Sequence, residues 1–150
     1  MNLEEAFRLT IDIVPPVEIG DTPLGRRSLI GASGGTIVGE RLNGTLNPGG
    51  GDWMLSTADG YSRPDVRHTL TTHDGAVVYF HGGGLIEMNE ATLAAIGGQR
   101  PSDFGDAYIR LSLTLESGDS RYAWVNESLF VAEGRLLAGP RIEYVVHRLA

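Results

Sequence analysis

A chain of 150 residues, 41% hydrophobic and 21% charged, has the length of one domain and the composition of a soluble globular protein. Its net charge of −7, with no basic run, argues against nucleic acid as a partner. All 12 basic residues are arginine and there is no cysteine, which excludes lysine Schiff bases, disulfides, thiolate nucleophiles and cysteine metal sites.

The opening Met1-Asn-Leu-Glu-Glu-Ala-Phe7 is acidic and lacks the apolar run of a signal peptide. No stretch reaches the ~18 apolar residues of a membrane helix. The expectation is a cytoplasmic protein with no membrane partner. The 21 glycines follow no fixed period, so they read as turns between strands rather than as a repeat.

Phe7, Leu9, Ile11 and Ile13 alternate with polar residues, predicting a half-buried strand that Pro15-Pro16 ends. Gly20 to Pro23 predicts a turn, Arg26 to Ile30 a short strand, and Gly31 to Gly35 a glycine corner. Thr36 to Leu46 reads as one curved strand interrupted by Gly39 and Gly44. Gly49-Gly-Gly-Asp-Trp53 then delivers a carboxylate and an indole at the mouth of a strand running to Thr57. Val66 to Leu70 is the next strand. His73-Asp74-Gly75 predicts a type I′ hairpin turn, with Ala76 to Phe80 as the returning strand and His81 to Gly84 breaking it.

Asn89 to Ile96 predicts a short helix capped by Asn89 and ended by Gly97-Gly98, with Leu93 and Ile96 on one face. Tyr108 to Glu116, Tyr122 to Val131 and Ile142 to Leu149 predict three more strands. About nine or ten closely spaced strands and one short helix indicate an all-β fold: an antiparallel barrel, closed or nearly closed, over residues 1–150.

Alternation places Ile109, Leu111, Leu113 and Leu115 on one face, which must be buried in a core or against another copy; a homo-oligomer is therefore expected. Tyr122, Trp124, Asn126 and Ser128 share a face of the following predicted strand. That face reads either as a solvated exterior with covering aromatics or as the lining of a ligand cavity. Asp52 and Arg67 meet if the sheet curls, as a structural ion pair or as a charge-poised acid or base. His81, sharing a face with Tyr79 beside the glycine run, reads as a solvent-facing strand end or, among the histidines, as the one best placed for acid–base work. His68, on the face of Val66 and Leu70, reads as a core residue. None of the four histidines has metal-ligand spacing, so no metal is expected.

Gly49-Gly-Gly-Asp-Trp53, Arg67 with Thr72-His-Asp-Gly75, and Tyr122-Ala-Trp-Val-Asn126, in that order, resemble the family catalogued as domain of unknown function 3237. Gly35-Thr-x-x-Gly39, Arg110 and Glu116 extend the likeness over most of the chain from Gly34. The resemblance implies one lipocalin-like β-barrel and implies little about activity. The chain departs from the family pattern at Val125 and in the glycine-rich stretch from Gly82 to Gly105.

With covalent and metal routes removed, the expected function is cofactor-free acid–base chemistry of the lyase, isomerase, cyclase or hydratase type. The small-molecule substrate would be aromatic or a conjugated carbonyl. Asp52, Arg67 and His81 would be the catalytic groups; Trp53, Tyr79, Arg110, Tyr122, Trp124 and Asn126 would bind. A non-catalytic binding barrel is the alternative.

Overall fold

The structure, a computed structural model, describes residues 1–150. Eleven strands form one antiparallel sheet: β1 (Leu3–Ile13), β2 (Val17–Thr22), β3 (Gly25–Val38), β4 (Gly44–Leu46), β5 (Gly51–Ser56), β6 (Tyr61–Arg63), β7 (Asp65–Thr72), β8 (Val77–Glu87), β9 (Ile109–Glu116), β10 (Phe130–Leu137) and β11 (Arg141–Leu149). Pairing of β1 with both β11 and β3 closes it into a barrel. Three pairs, β1 with β2, β4 with β5 and β6 with β7, are each one stave broken by a few residues. Each pair lies along a common neighbour: β3 in the first two cases and β8 in the third. Eleven segments thus make eight staves in chain order, the next-neighbour arrangement of a lipocalin-like barrel that leaves room for side chains or one small ligand.

Strict period-two burial separates inside from outside. On β7, Val66, His68, Leu70 and Thr72 are buried while Asp65, Arg67 and Thr69 face out. The leucine stripe of β9 fills the barrel with Phe7, Leu9, Val78, Phe80, Phe130 and Val146. Core packing accounts for that stripe without an interface. No helix is long and apolar enough to cross a membrane.

Several local expectations change. Val17–Thr22 is a strand, although its sequence offers no clear alternation. Gly31 to Gly35 is not a corner but runs within β3. Thr36 to Leu46 is two strands, because β3 stops at Val38 and β4 starts at Gly44. β8 continues through His81-Gly-Gly-Gly84, since β9 pairs with it residue by residue. The β7–β8 turn is not type I′: only Gly75 has positive φ (+89°), so the loop is a tight turn closed by a left-handed glycine. Helix α1 (Glu90–Ile96) has the Asn89 cap as expected, but buries Thr92 and Ala94 rather than Leu93 and Ile96.

The largest difference is Tyr122 to Val131. Ser120–Tyr122 is a 3₁₀ turn and α2 (Ala123–Asn126) one turn of helix; the strand begins only at Phe130. Local side-chain bonds outcompete an extended conformation here. Asp119 caps the Arg121 N–H (3.0 Å). The Asn126 side chain clasps both backbone groups of Ser117 (2.8 and 2.9 Å), and the Ser128 hydroxyl donates to the Trp124 carbonyl (2.8 Å). This segment plugs one end of the barrel.

Candidate functional site in the barrel lumen

Of the nine residues expected to form a site, Asp52 is the one that the barrel staves turn inward, and Tyr122 is buried in the plug. Arg67, Tyr79 and His81 lie together on the outer wall, where Arg67 donates to the Tyr79 hydroxyl (3.2 Å) and Tyr79 stacks on His81 (6.2 Å). Asp65, not Asp52, is the carboxylate beside Arg67 (3.9 Å) and His81 (3.8 Å). The reason is parity: Arg67 stands opposite Gly51, one residue away from Asp52, and so on the other face of the sheet. Arg110 is also outside, paired with Glu133 (3.0 Å) and stacked on Tyr108. Trp53 faces out and remains 38% exposed.

Tyr122, Trp124 and Asn126 belong to the plug. The buried Tyr122 hydroxyl donates to Asp74 in the β7–β8 turn (2.7 Å); burial, and then this bond, hold the hydroxyl protonated. Trp124 packs edge-on against Phe130, with the Arg41 guanidinium over its face at 4.2 Å. Trp124 and Arg41 both border a cleft of about 240 Å³ walled also by Glu4, Glu5, Glu40 and Arg148. A second cleft, about 260 Å³, runs along the outside of β8 and β9 by Gly83 and Arg110. Neither contains Asp52, and neither is lined by Tyr122 or Asn126.

Asp52 reaches the lumen through the glycine segment before it. β4 and β5 are one stave interrupted at Asn47–Gly50, and Gly49 and Gly50 both take positive φ (+89° and +71°). Gly50 also passes so close to β7 that a Cβ would stand 2.4 Å from the Arg67 carbonyl. The bulge resets the stave so that Asp52 lies opposite Ile30 and Val66, with Met54 next along the same inner face. The half-buried carboxyl accepts the backbone N–H of Asp65 (2.9 Å), the amide freed where β6 gives way to β7. No arginine pairs with it. Burial raises its pKa from 3.8 to about 6; the Asp65 amide opposes this and the Asp65 charge adds to it.

Tyr144, for which the sequence alone predicts no role, occupies the facing wall. It lies between Ile142 and Val146 on the inner face of β11, 4% exposed. Its cross-strand partner is Gly134, where a Cβ would come within 2.7 Å of the ring. No hydrogen bond of the chain uses its hydroxyl. Burial, and then the charge of Asp52, push its pKa far above the phenol range, so it is a neutral donor. Alternation alone could have turned Tyr144 inward; its glycine partner is visible only once β10 and β11 are in register. Two more lumen hydroxyls, Ser56 and Ser62, bond to each other (2.8 Å). No group of three or more histidine or acidic side chains could hold a metal.

The family model "Protein of unknown function (DUF3237)" matches residues 1–149. A UPF0311 protein of Clostridium acetobutylicum is 32% identical over 132 residues, which is 87% of this chain and 84% of the relative. The crystal structure of a conserved protein of unknown function from Rhodopseudomonas palustris superposes with a TM-score of 0.86 at 26% identity, covering 100% of this chain and 99% of that one. An enzyme from Penicillium herquei shares the fold, with a TM-score of 0.73 at 20% identity over 99% of this chain and 94% of its own.

Proposed function

The chain belongs to the DUF3237 family of proteins of unknown function, and from its lumen geometry we propose that it is a cofactor-independent acid–base enzyme acting on a small carbonyl compound. The observation carrying this reading is Asp52: an inward carboxyl without a cationic partner, its pKa raised to about 6. A buried carboxylate kept for structure is normally paired; one left unpaired near neutrality can both take and give a proton.

The chemistry follows from what surrounds it. As a carboxylate, Asp52 removes a proton from carbon next to a carbonyl. Tyr144, held neutral by the same apolar surroundings, donates a hydrogen bond to the oxygen on which charge develops, an arrangement worth most where water is excluded. Return of the proton to another atom gives isomerisation, elimination or ring closure, the lyase, isomerase, cyclase or hydratase type. The apolar wall from Phe80, Leu111 and Met54 suits an uncharged aromatic or conjugated body.

A panel of simple compounds can stand in for the natural substrate. Small conjugated ketones incubated with the protein in D₂O are expected to exchange their α-protons for deuterium, read by proton NMR. Asp52→Asn should slow this by about 10²–10⁴-fold, the usual worth of a general acid or base. Carbon NMR of the Asp52 carboxyl should show a midpoint near 6; a midpoint near 4, or exchange indifferent to the substitution, removes Asp52 from the chemistry.

A further inference from the structure

The glycine bulge that delivers Asp52 also faces a histidine. His68 lies on the inner face of β7, 4% exposed, with its ring 6.2 Å from that of its cross-strand partner Phe80. Its Nδ1 is the one fully buried side-chain polar atom of the chain without a hydrogen-bond partner of good geometry. That nitrogen is turned to the bulge: a Cβ on Gly50 would stand 3.1 Å from it, and the Gly49 carbonyl is the acceptor beside it. A nitrogen sealed against a carbonyl carries the ring proton, because the other tautomer sets two lone pairs facing each other. Nε2 is then the lone-pair nitrogen. It is not enclosed as Nδ1 is, and it makes no hydrogen bond to the chain.

Asp52 stands opposite Val66, two residues from His68 on the same face. Such diagonal neighbours lie about 7–8 Å apart between backbones, close enough for both side chains to reach one small molecule. Asp52 is the charged group that faces His68 from β5; Phe80 on β8 and Leu46 and Leu70 around it are apolar and buried. Burial disfavours the imidazolium and holds its pKa below the ordinary imidazole value, the Gly49 carbonyl opposing this in part.

We propose that His68 is a second proton-transfer residue of the lumen, its Nε2 acting as base beside the acid of Asp52, with the glycine bulge holding the ring in the Nδ1–H tautomer. This rests on the lumen reading above and adds to it a route open while Asp52 is still protonated, in which His68 takes the substrate proton in place of the carboxylate. With Asp52 protonated, its carboxyl proton passes to the substrate oxygen while Nε2 takes a proton from the substrate carbon or hydroxyl. The substrate is isomerised with no net change in protons. The site is left as carboxylate and imidazolium, and transfer of one proton from His68 back to Asp52 restores it.

Nitrogen-15 NMR of the imidazoles between pH 5 and 8, assigned with His68→Asn, tests the geometry. The expected pattern is a protonated Nδ1 and an unprotonated Nε2 whose shift moves as Asp52 titrates, a movement lost in Asp52→Asn. A protonated Nε2, or a His68 signal blind to Asp52, overturns the proposal. His68→Asn keeps an N–H near the Gly49 carbonyl but has no counterpart of Nε2. It should fold with an unchanged unfolding midpoint while α-proton exchange falls at least tenfold; unaltered exchange also overturns the proposal. The two readings fail separately: Asp52 titrating near 4 sinks the lumen enzyme, whereas Asp52 near 6 beside a protonated Nε2 sinks only the role of His68.

Discussion

The buried carboxyl of Asp52 costs the protein stability, and the sign of that cost can be measured. Its folded pKa of about 6 lies above the ordinary 3.8, so between those values the native state binds more protons than the unfolded chain. Stability is therefore full below about pH 4, declines as pH rises through 6, and stays reduced above it. The shift is worth up to about 3 kcal/mol, less whatever solvent reaching the half-buried carboxyl screens. Asn at this position keeps an oxygen for the Asp65 N–H and cannot ionise. Asp52→Asn should raise the urea-unfolding free energy by about 1–3 kcal/mol at pH 8 and by nearly nothing at pH 4. An equal effect at both pH values would show that Asp52 carries no desolvation cost.

At the scale of single elements, the bulge between β4 and β5 separates two things that glycine supplies. Gly49 (φ +89°) has open space around it, whereas Gly50 (φ +71°) has the Arg67 carbonyl and His68 where a Cβ would go. Gly49→Ala should cost only the left-handed backbone penalty, about 1–2 kcal/mol. Gly50→Ala adds a backbone collision and should cost about 3–5 kcal/mol, the range of lost core features. Equal losses in thermal or urea unfolding would mean that the close approach to β7 does not hold the stave. The Gly49-Gly-Gly-Asp-Trp53 motif is legible in the sequence as a place where glycine is required and a carboxylate delivered. Its destination is not, because inward and outward depend on the register between β5 and β7, which a shift of one residue inverts. Proximity in sequence pairs Arg67 with Asp52; register gives it to Asp65 instead. The same limit applies to Tyr122 to Asn126. Its alternating pattern is that of a strand, but the Asp119 cap and the Asn126 clasp, local side-chain bonds to which apolar periodicity is blind, coil it into a plug.

Across the whole molecule, the plugged end and the barrel interior are built differently. The β9 stripe and the fold class follow from alternation, which a closed antiparallel sheet must obey, so both can be read from the sequence. The lumen pair cannot, because it is assembled from staves far apart in sequence: Asp52 on β5 and Tyr144 on β11 come within electrostatic reach only when the barrel closes. Gly134 makes this wall possible by leaving the tyrosine ring its space. Gly134→Ala should displace the ring and destabilise by about 1–3 kcal/mol, as overpacking does. Tyr144→Phe keeps the ring and removes only a hydroxyl that no group of the chain uses, so unfolding should change by less than about 1 kcal/mol. If that hydroxyl serves the reaction, α-proton exchange should nonetheless fall by about 10²-fold or more, the loss typical of one oxyanion donor. Tyr122→Phe is the control at the plugged end: it loses the bond to Asp74, about 1 kcal/mol, and should leave exchange unchanged. A chain in which the plug substitution lowers exchange and the lumen substitution does not would have its chemistry at the other end of the barrel, beside Trp124 and Arg41.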